Sequence, residues 1–467
     1  VARTLVDKIW DAHFVARRDD GRDVVYVDRH VFHELHGPHA LERLAETGRS
    51  VRRADLTFGV LDHTVPTRDR ADVARAAAES PLMREMRAGA ARFGFRLFDV
   101  DDDEAGIAHV VAPELGLVLP GATHACPDSH ACTVGALGAL AFGCGTSDLE
   151  HVLATQALTL KRPLPMRVRL TGRLAAGVSA KDVALHLLAR LGVDGASGHA
   201  VEFAGSLVDE LSVEGRFTLC NMAVEMGART AIVAPDARAL EWLRDRPYAP
   251  AGADWERLAA TWTTLRSDDD AEFARDLSVD CTNLAPQVSW GTNPGLNVGV
   301  DGRVPDPAGA PAEGRAALER ALQYMGLTPG TPMRELAIDR VFIGSCTNAR
   351  LEDLERAASI VRGKHVAPSV RAVVVPGSLA VKRAAEARGL DAVFRAAGFE
   401  WHETGCSLCV GVNGDLGSPG QRFLSTSNRN FEARQGPGVR THLASPETAA
   451  ATALSGYIAD PRLVPAR

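Results

Sequence analysis

Short apolar runs recur along the chain with helix-forming stretches between them. Residues 231–234 (Ala-Ile-Val-Ala), 341–344 (Val-Phe-Ile-Gly) and 372–376 (Ala-Val-Val-Val-Pro) are too short for helices and read as buried strands. The stretches 351–362 and 380–388 carry helical spacing, and Gly389 reads as the stop of the second. Strand and helix in turn predict an α/β architecture with mostly parallel sheets. At 467 residues the chain exceeds what one hydrophobic core organises, so several domains are expected. A Pro- and Gly-rich stretch at 301–314 reads as a linker that holds neither helix nor strand. Near Pro165 a second change occurs, where Met166 and the residues after it alternate like a strand opening a new unit. These boundaries give three expected domains: 1–165, 166–300 and 301–467.

Bulk composition narrows the functional classes. With 46% hydrophobic and 24% charged residues the chain reads as globular rather than disordered or fibrous. Apolar runs such as 110–119 fall well short of the roughly 20 residues that span a bilayer. Arg3, Asp7 and Lys8 interrupt what would have to be the apolar core of an export signal, so a soluble, cytoplasmic protein is expected. A net charge of −7 without any long basic run leaves no footprint for nucleic acid. Eight unevenly spaced cysteines in a reducing compartment point to metal or catalysis rather than to a disulfide framework.

Three groups of residues carry chemistry. Gly405-Cys406-Ser407-Leu408-Cys409 holds a Cys-x-x-Cys, and Cys346 stands in Gly344-Ser345-Cys346-Thr347-Asn348 at the end of an expected strand, where α/β sheets place ligands. From spacing alone, half of a zinc site, a redox dithiol and part of an iron–sulfur cluster all stay open. The absence of a second Cys-x-x-Cys counts against zinc, and a dithiol leaves Cys346 unexplained. A three-thiolate cube would leave one iron open as a Lewis acid. The second group is Asp62-His63, His109, Asp128-Ser129-His130 and Glu225, since imidazoles beside carboxylates make tunable acids near neutral pH. Singly, each reads equally well as a surface pair or turn. The third is the polar run 425–434, where Arg429 and Arg434 suit carboxylate capture and Asn428 suits a substrate hydroxyl or a cluster atom; an exposed loop is the plain alternative. Glycines between 135 and 145 could cradle an anion or allow close packing.

Taken in order, these motifs resemble the aconitase superfamily, and within it the large subunits of isopropylmalate dehydratases, over essentially the whole chain. The likeness runs from residues 4–13 through Asp62-His63-Thr64-Val65-Pro66-Thr67, 139–156 and 218–228 to the two cysteine motifs and 425–432. It implies an aconitase-like fold of three α/β domains around a [4Fe–4S] cluster held by Cys346, Cys406 and Cys409, with one iron lacking a protein ligand. It further implies that His63 with Asp62 protonates a departing hydroxyl. Asp128 with His109, and Glu225 with His130, would be supporting pairs. Asn221, Asn348 and Asn428 would surround the cluster, and Ser129, Arg429 and Arg434 would contact substrate. The implied reaction interconverts 2- and 3-isopropylmalate by dehydration and rehydration, in leucine biosynthesis. In one-chain members a swivelling domain follows; its absence before Arg467 implies a separate small subunit as partner.

Some positions depart from the family pattern. A common Gly-Asp-Ser-His-Thr reads Pro127-Asp128-Ser129-His130-Ala131, and His36 and His39 stand where a hydroxyl and an amide are usual. Another 2-alkylmalate or homocitrate is therefore an alternative substrate. A cluster-dependent RNA-binding regulator is a further alternative, opposed by the acidic balance and the complete acid/base set.

Overall fold

Val341, Phe342 and Ile343 are wholly buried, as a strand covered on both faces requires, and lie in the strand Arg340–Ile343. Parallel neighbours flank it: Arg371–Val374 then Glu400–Trp401 on one side, Arg422–Ser425 then Arg440–Leu443 on the other. The chain thus winds outward from the centre in one direction, returns, and winds outward in the other. That reversal opens a crevice between the carboxyl ends of Arg340–Ile343 and Arg422–Ser425.

The structure, a computed structural model, describes residues 2–465. Val1, Ala466 and Arg467, which mark the outer limits of the first and third expected domains, lie outside the described residues. The chain forms two compact units. The first comprises Val1–Thr64, Ala74–Gly172 and Ala196–Asp280; the second comprises Val65–Val73, Arg173–Gly195 and Cys281–Arg467.

The first unit repeats the winding just described. Arg29–His33 is central, with Thr57–Val60 and Arg96–Phe98 on one side and Thr123–Cys126 and Leu140–Gly143 on the other, all parallel. Its switch point lies between Arg29–His33 and Thr123–Cys126. Trp10 anchors the core beside this sheet, edge-on to Phe142 at 5.9 Å, with its indole N–H donating to Asp23 at 3.0 Å. The same unit holds a second parallel sheet, in which Leu164–Thr171 pairs with His199–Ala204 and with the edge strand Arg275–Asp280, and Thr230–Val233 forms the other edge beyond His199–Ala204. Along Leu164–Thr171 the buried positions are Met166, Val168 and Leu170, the alternation read from the sequence.

Helices fall where the spacing placed them, at Leu351–Val361 and Leu379–Ala387, and Gly389 adopts φ 68° just after the second. The stretch 301–314 differs from expectation: the helix Ala312–Met325 begins inside it and includes Gly314. Gly314 sits in the first turn, where backbone N–H groups lack helical partners anyway, so a glycine there weakens the helix little. Among the described residues no helix is long and apolar enough to cross a membrane.

Candidate functional site

In the first unit the imidazoles and carboxylates gather at the carboxyl ends of three adjacent strands. His33 ends the central strand, Asp62 and His63 follow Thr57–Val60, and Asp128 follows Thr123–Cys126. Asp128 caps the 3-10 turn that begins at Ser129, its Oδ1 accepting from the His130 N–H at 2.7 Å. Gly143 lets the neighbouring strand end approach this turn, since a Cβ there would lie 2.8 Å from the Asp128 carbonyl. Gly135 is likewise a packing glycine: its Cβ would meet the Ala231 carbonyl at 1.9 Å. At these two positions close packing is the reading the structure supports.

Asp128 is the hub of the network. Its Oδ1 lies 3.0 Å from His109 Nε2 and 3.3 Å from His130 Nδ1, and its Oδ2 lies 3.5 Å from His63 Nε2. His130 Nε2 pairs with Glu225 Oε1 at 2.7 Å, and the Ser129 hydroxyl lies 3.5 Å from His130 Nδ1. On the far side of His63, Nδ1 meets Asp62 Oδ1 at 2.5 Å, while Asp62 Oδ2 accepts from the Ala108 N–H at 2.9 Å. Asn221 braces the His130 turn, donating to Thr133 Oγ1 at 2.8 Å, which itself donates to the His130 carbonyl at 2.6 Å.

These contacts set the charges. Burial opposes protonation of His63, but Asp62 and Asp128 overcome it, so its pKa rises well above the usual 6.5. Burial likewise pushes the Asp128 carboxyl up, and His109, His130 and His63 together bring it well below the usual carboxylate range. Asp62 is held down by His63 against its own burial. The result is an imidazole held between two carboxylates that both favour its protonated form.

Two neighbours not singled out for a role in the sequence support His63 and its turn. The His33 ring stacks on the His63 ring, centroids 4.1 Å apart and planes 23° from parallel. Burial lowers the His33 pKa to about 3, so a neutral ring faces a charged one. Its Nε2 donates to the Pro127 carbonyl at 3.2 Å. Glu34 accepts from the Asp62 N–H at 3.2 Å and from Thr64 Oγ1 at 2.9 Å. Their signal in the sequence was position alone, a His-Glu pair closing a buried strand. His33, Glu34, Asp62 and His63 also bring potential metal-ligand atoms within 4.8 Å of one another. Stacked imidazoles do not aim lone pairs at one ion, so hydrogen bonding describes this group better than a metal cage. Of the departures from the family pattern, His36 binds Thr146 Oγ1 at 2.9 Å, and His39 is exposed.

In the second unit, Cys346, Cys406 and Cys409 are 7%, 6% and 7% exposed. The Asn428 amide donates to Cys346 Sγ at 3.6 Å, and its Oδ1 lies 3.9 Å from Cys409 Sγ. Ser345 Oγ lies 3.2 Å from Cys409 Sγ and 4.0 Å from Cys346 Sγ. Both Ser345 and Ser407, which adjoin cluster-candidate cysteines, adopt positive φ, 82° and 47°, a conformation that costs a non-glycine residue of order 1–3 kcal/mol.

Buried Arg350 and Lys181 satisfy backbone carbonyls in this unit. Arg350, 2% exposed, donates to the carbonyls of Cys346 at 2.9 Å and Thr347 at 3.4 Å. Lys181, 0% exposed, donates to the carbonyls of Thr426 at 3.0 Å and Ser427 at 2.6 Å. Arg434 Nε donates to the Cys409 carbonyl at 3.1 Å, and Asn348 donates to Asp353 at 3.0 Å. Arg429 is half-buried. Lys181 and Arg350 lie in unremarkable sequence, and only the fold reveals them. The donor set suits an iron–sulfur cluster: buried soft sulfur ligands, with an amide and a hydroxyl placed to hydrogen-bond them.

The aconitase family model (aconitate hydratase) matches residues 7–456. Among curated relatives, 3-isopropylmalate dehydratase large subunit 1 of Bradyrhizobium diazoefficiens is 52% identical over 462 residues, covering 98% of this chain and 96% of that one. Among solved structures, the holo-form of Thermococcus kodakaraensis aconitase X is similar with a TM-score of 0.48 and 13% identity, covering 94% of this chain and 93% of that one. The chain belongs to the aconitase family of hydro-lyases.

Proposed function

We propose that the chain is the cluster-bearing large subunit of a 3-isopropylmalate dehydratase. In this role it interconverts 2- and 3-isopropylmalate through the dehydrated alkene, in leucine biosynthesis. The observation that carries this reading is the 52% identity spread over 98% of the chain to a relative of that name. That relative is called a large subunit, so a small subunit is the proposed partner. The three-domain division at 165 and 300 is also proposed, supported by one parallel sheet falling in each part, with Leu164–Thr171 at the first boundary.

The proposed cofactor is a [4Fe–4S] cluster on Cys346, Cys406 and Cys409, which supplies an open iron acting as a Lewis acid toward the substrate hydroxyl. In the forward direction a proton leaves the carbon alpha to a carboxylate and the hydroxyl departs as water. His63 supplies the proton that hydroxide needs to leave, because Asp62 and Asp128 keep its imidazole charged at neutral pH. His33 and Glu34 keep that ring and the turn beneath it in place. Asp128, with His109, and Glu225, with His130, hold the remaining protons of the network. Arg429 and Arg434 are the proposed partners of the substrate carboxylates, with Ser129 alongside; Asn221, Asn348 and Asn428 are the proposed polar surroundings of the cluster. The base that takes the alpha proton is proposed to come from the small subunit. Addition of water to the alkene in the opposite sense completes the isomerisation.

The test is turnover by the anaerobically reconstituted chain mixed with a small subunit. Alkene formation is followed with 2-isopropylmalate beside citrate, homocitrate and a longer 2-alkylmalate. The reading expects isopropylmalate to react fastest, and only when both subunits are present. Turnover of another acid with isopropylmalate inert would overturn the substrate.

A further inference from the structure

At the opposite end of the first unit's central strands, a cavity of about 380 Å³ opens beside Arg29 and Thr123. These residues begin the strands whose carboxyl ends carry His33 and lead to Asp128, so the cavity sits at the amino edge of the sheet. Its walls are largely aliphatic and aromatic, with Leu56, Leu117, Leu119, Leu258 and Trp262 among them.

The polar groups at its floor are unequally satisfied. Asp28 is engaged through Oδ2, which accepts from His13 Nε2 at 2.8 Å, the Thr123 N–H at 2.8 Å and Thr123 Oγ1 at 3.1 Å. His13 donates from its other nitrogen to the Ile9 carbonyl at 2.7 Å. With both ring nitrogens engaged as donors, His13 is an imidazolium neutralised by Asp28. Arg29 is different. Its Nη1 donates to the carbonyls of Gly116 at 3.1 Å and Tyr248 at 3.4 Å, and among the described residues no carboxylate pairs with it. Burial depresses its pKa even against the neighbouring Asp28 charge, which raises it. His124 lines the same cavity and adds no charge, since burial lowers its pKa to about 3. The cavity therefore holds one net positive charge on a donor fork shaped for a carboxylate, under an apolar wall.

We propose that this cavity binds a small monocarboxylate with an aliphatic chain, the carboxylate on the Arg29 guanidinium and the chain against Leu117, Leu258 and Trp262. It is a second ligand site, apart from the residues proposed for catalysis, and its occupancy is read without turnover.

The experiment is titration calorimetry on the cluster-reconstituted chain with 4-methylpentanoate, and with 4-methylpentan-1-ol as the uncharged counterpart. Saturable binding is expected for the acid, with the alcohol at least about tenfold weaker. Arg29→Met is expected to weaken the acid by at least about tenfold, and Leu258→Trp, which fills the cavity and leaves every charge in place, to abolish it. Circular dichroism verifies folding, and Arg29→Lys, which keeps the charge without the fork, should fall between wild type and Arg29→Met. Three results would overturn the proposal: no saturable binding, equal binding of acid and alcohol, or binding that survives both cavity variants. Loss of binding in Arg434→Met instead would assign the ligand to the proposed substrate arginines, and would likewise overturn it.

Discussion

The two five-stranded sheets are wound alike and equipped differently. In the first unit the switch point is lined by ionisable side chains: His63 between Asp62 and Asp128, with His109, His130 and Glu225 extending the network. Its backbone is relaxed, and none of the non-glycine residues with positive φ is among these residues. In the second unit the loops after the central strand Arg340–Ile343 and the edge strand Glu400–Trp401 present sulfur, and the strain sits beside it, at Ser345 and Ser407. The difference teaches what each chemistry demands. Proton transfer needs side chains within hydrogen-bond reach, which ordinary rotamers on ordinary turns supply. Holding the proposed cluster would need turns tighter than L-residues prefer; Arg350 satisfies the Cys346 carbonyl in the first of them, while Lys181 satisfies the Thr426 and Ser427 carbonyls beside Asn428.

If the division of labour is real, variants in the two regions should fail in different ways. His63→Asn is expected to lower turnover by about a thousandfold with iron and sulfide content unchanged; loss of the cluster in this variant would break the comparison. Asp62→Asn should lower turnover less, about ten- to a hundredfold by the same reasoning, and leave a signature in pH. The Asp62 carboxylate raises the His63 pKa, so the acid form persists to high pH in the wild type. Removing it lowers that pKa, and the alkaline limb of the rate profile should move toward lower pH, in the direction of the ordinary imidazole value near 6.5. An unmoved limb would mean that His63 is not the titrating acid. Lys181→Met changes a residue of the second unit. It leaves the buried Thr426 and Ser427 carbonyls without their donor and should lower thermodynamic stability by about 2–4 kcal/mol, measured by denaturant unfolding of the metal-free chain. A change within a few tenths of a kcal/mol would show that the lysine is not what supports the Asn428 turn.

Much of this arrangement was legible beforehand because it is local. Runs such as 341–344 can be little but buried strands, and the motifs carrying Cys346 and Asp128 stand immediately after strands, where an α/β sheet opens to ligands. Hidden from the sequence were the contacts between distant segments. Nothing near Lys181 indicates that its amine reaches residues 426 and 427, and nothing in His33-Glu34 announces a ring stacked on His63. Gly314 was misread because a glycine in a first helical turn looks, in one dimension, like a glycine in a linker. The ambiguity of Gly135 was resolvable only once Ala231, on a different sheet of the same unit, was seen against it.

The claim on which the rest depends is that Cys346, Cys406 and Cys409 hold an iron–sulfur cube with one exchangeable iron. Mössbauer spectroscopy on the anaerobically reconstituted chain, with iron and inorganic sulfide assayed on the same sample and on Cys406→Ser, tests it directly. The account predicts a cubane spectrum with one iron distinct from the others and perturbed by added substrate, and loss of that spectrum in the variant. Zinc in place of iron, or iron without inorganic sulfide, would contradict it.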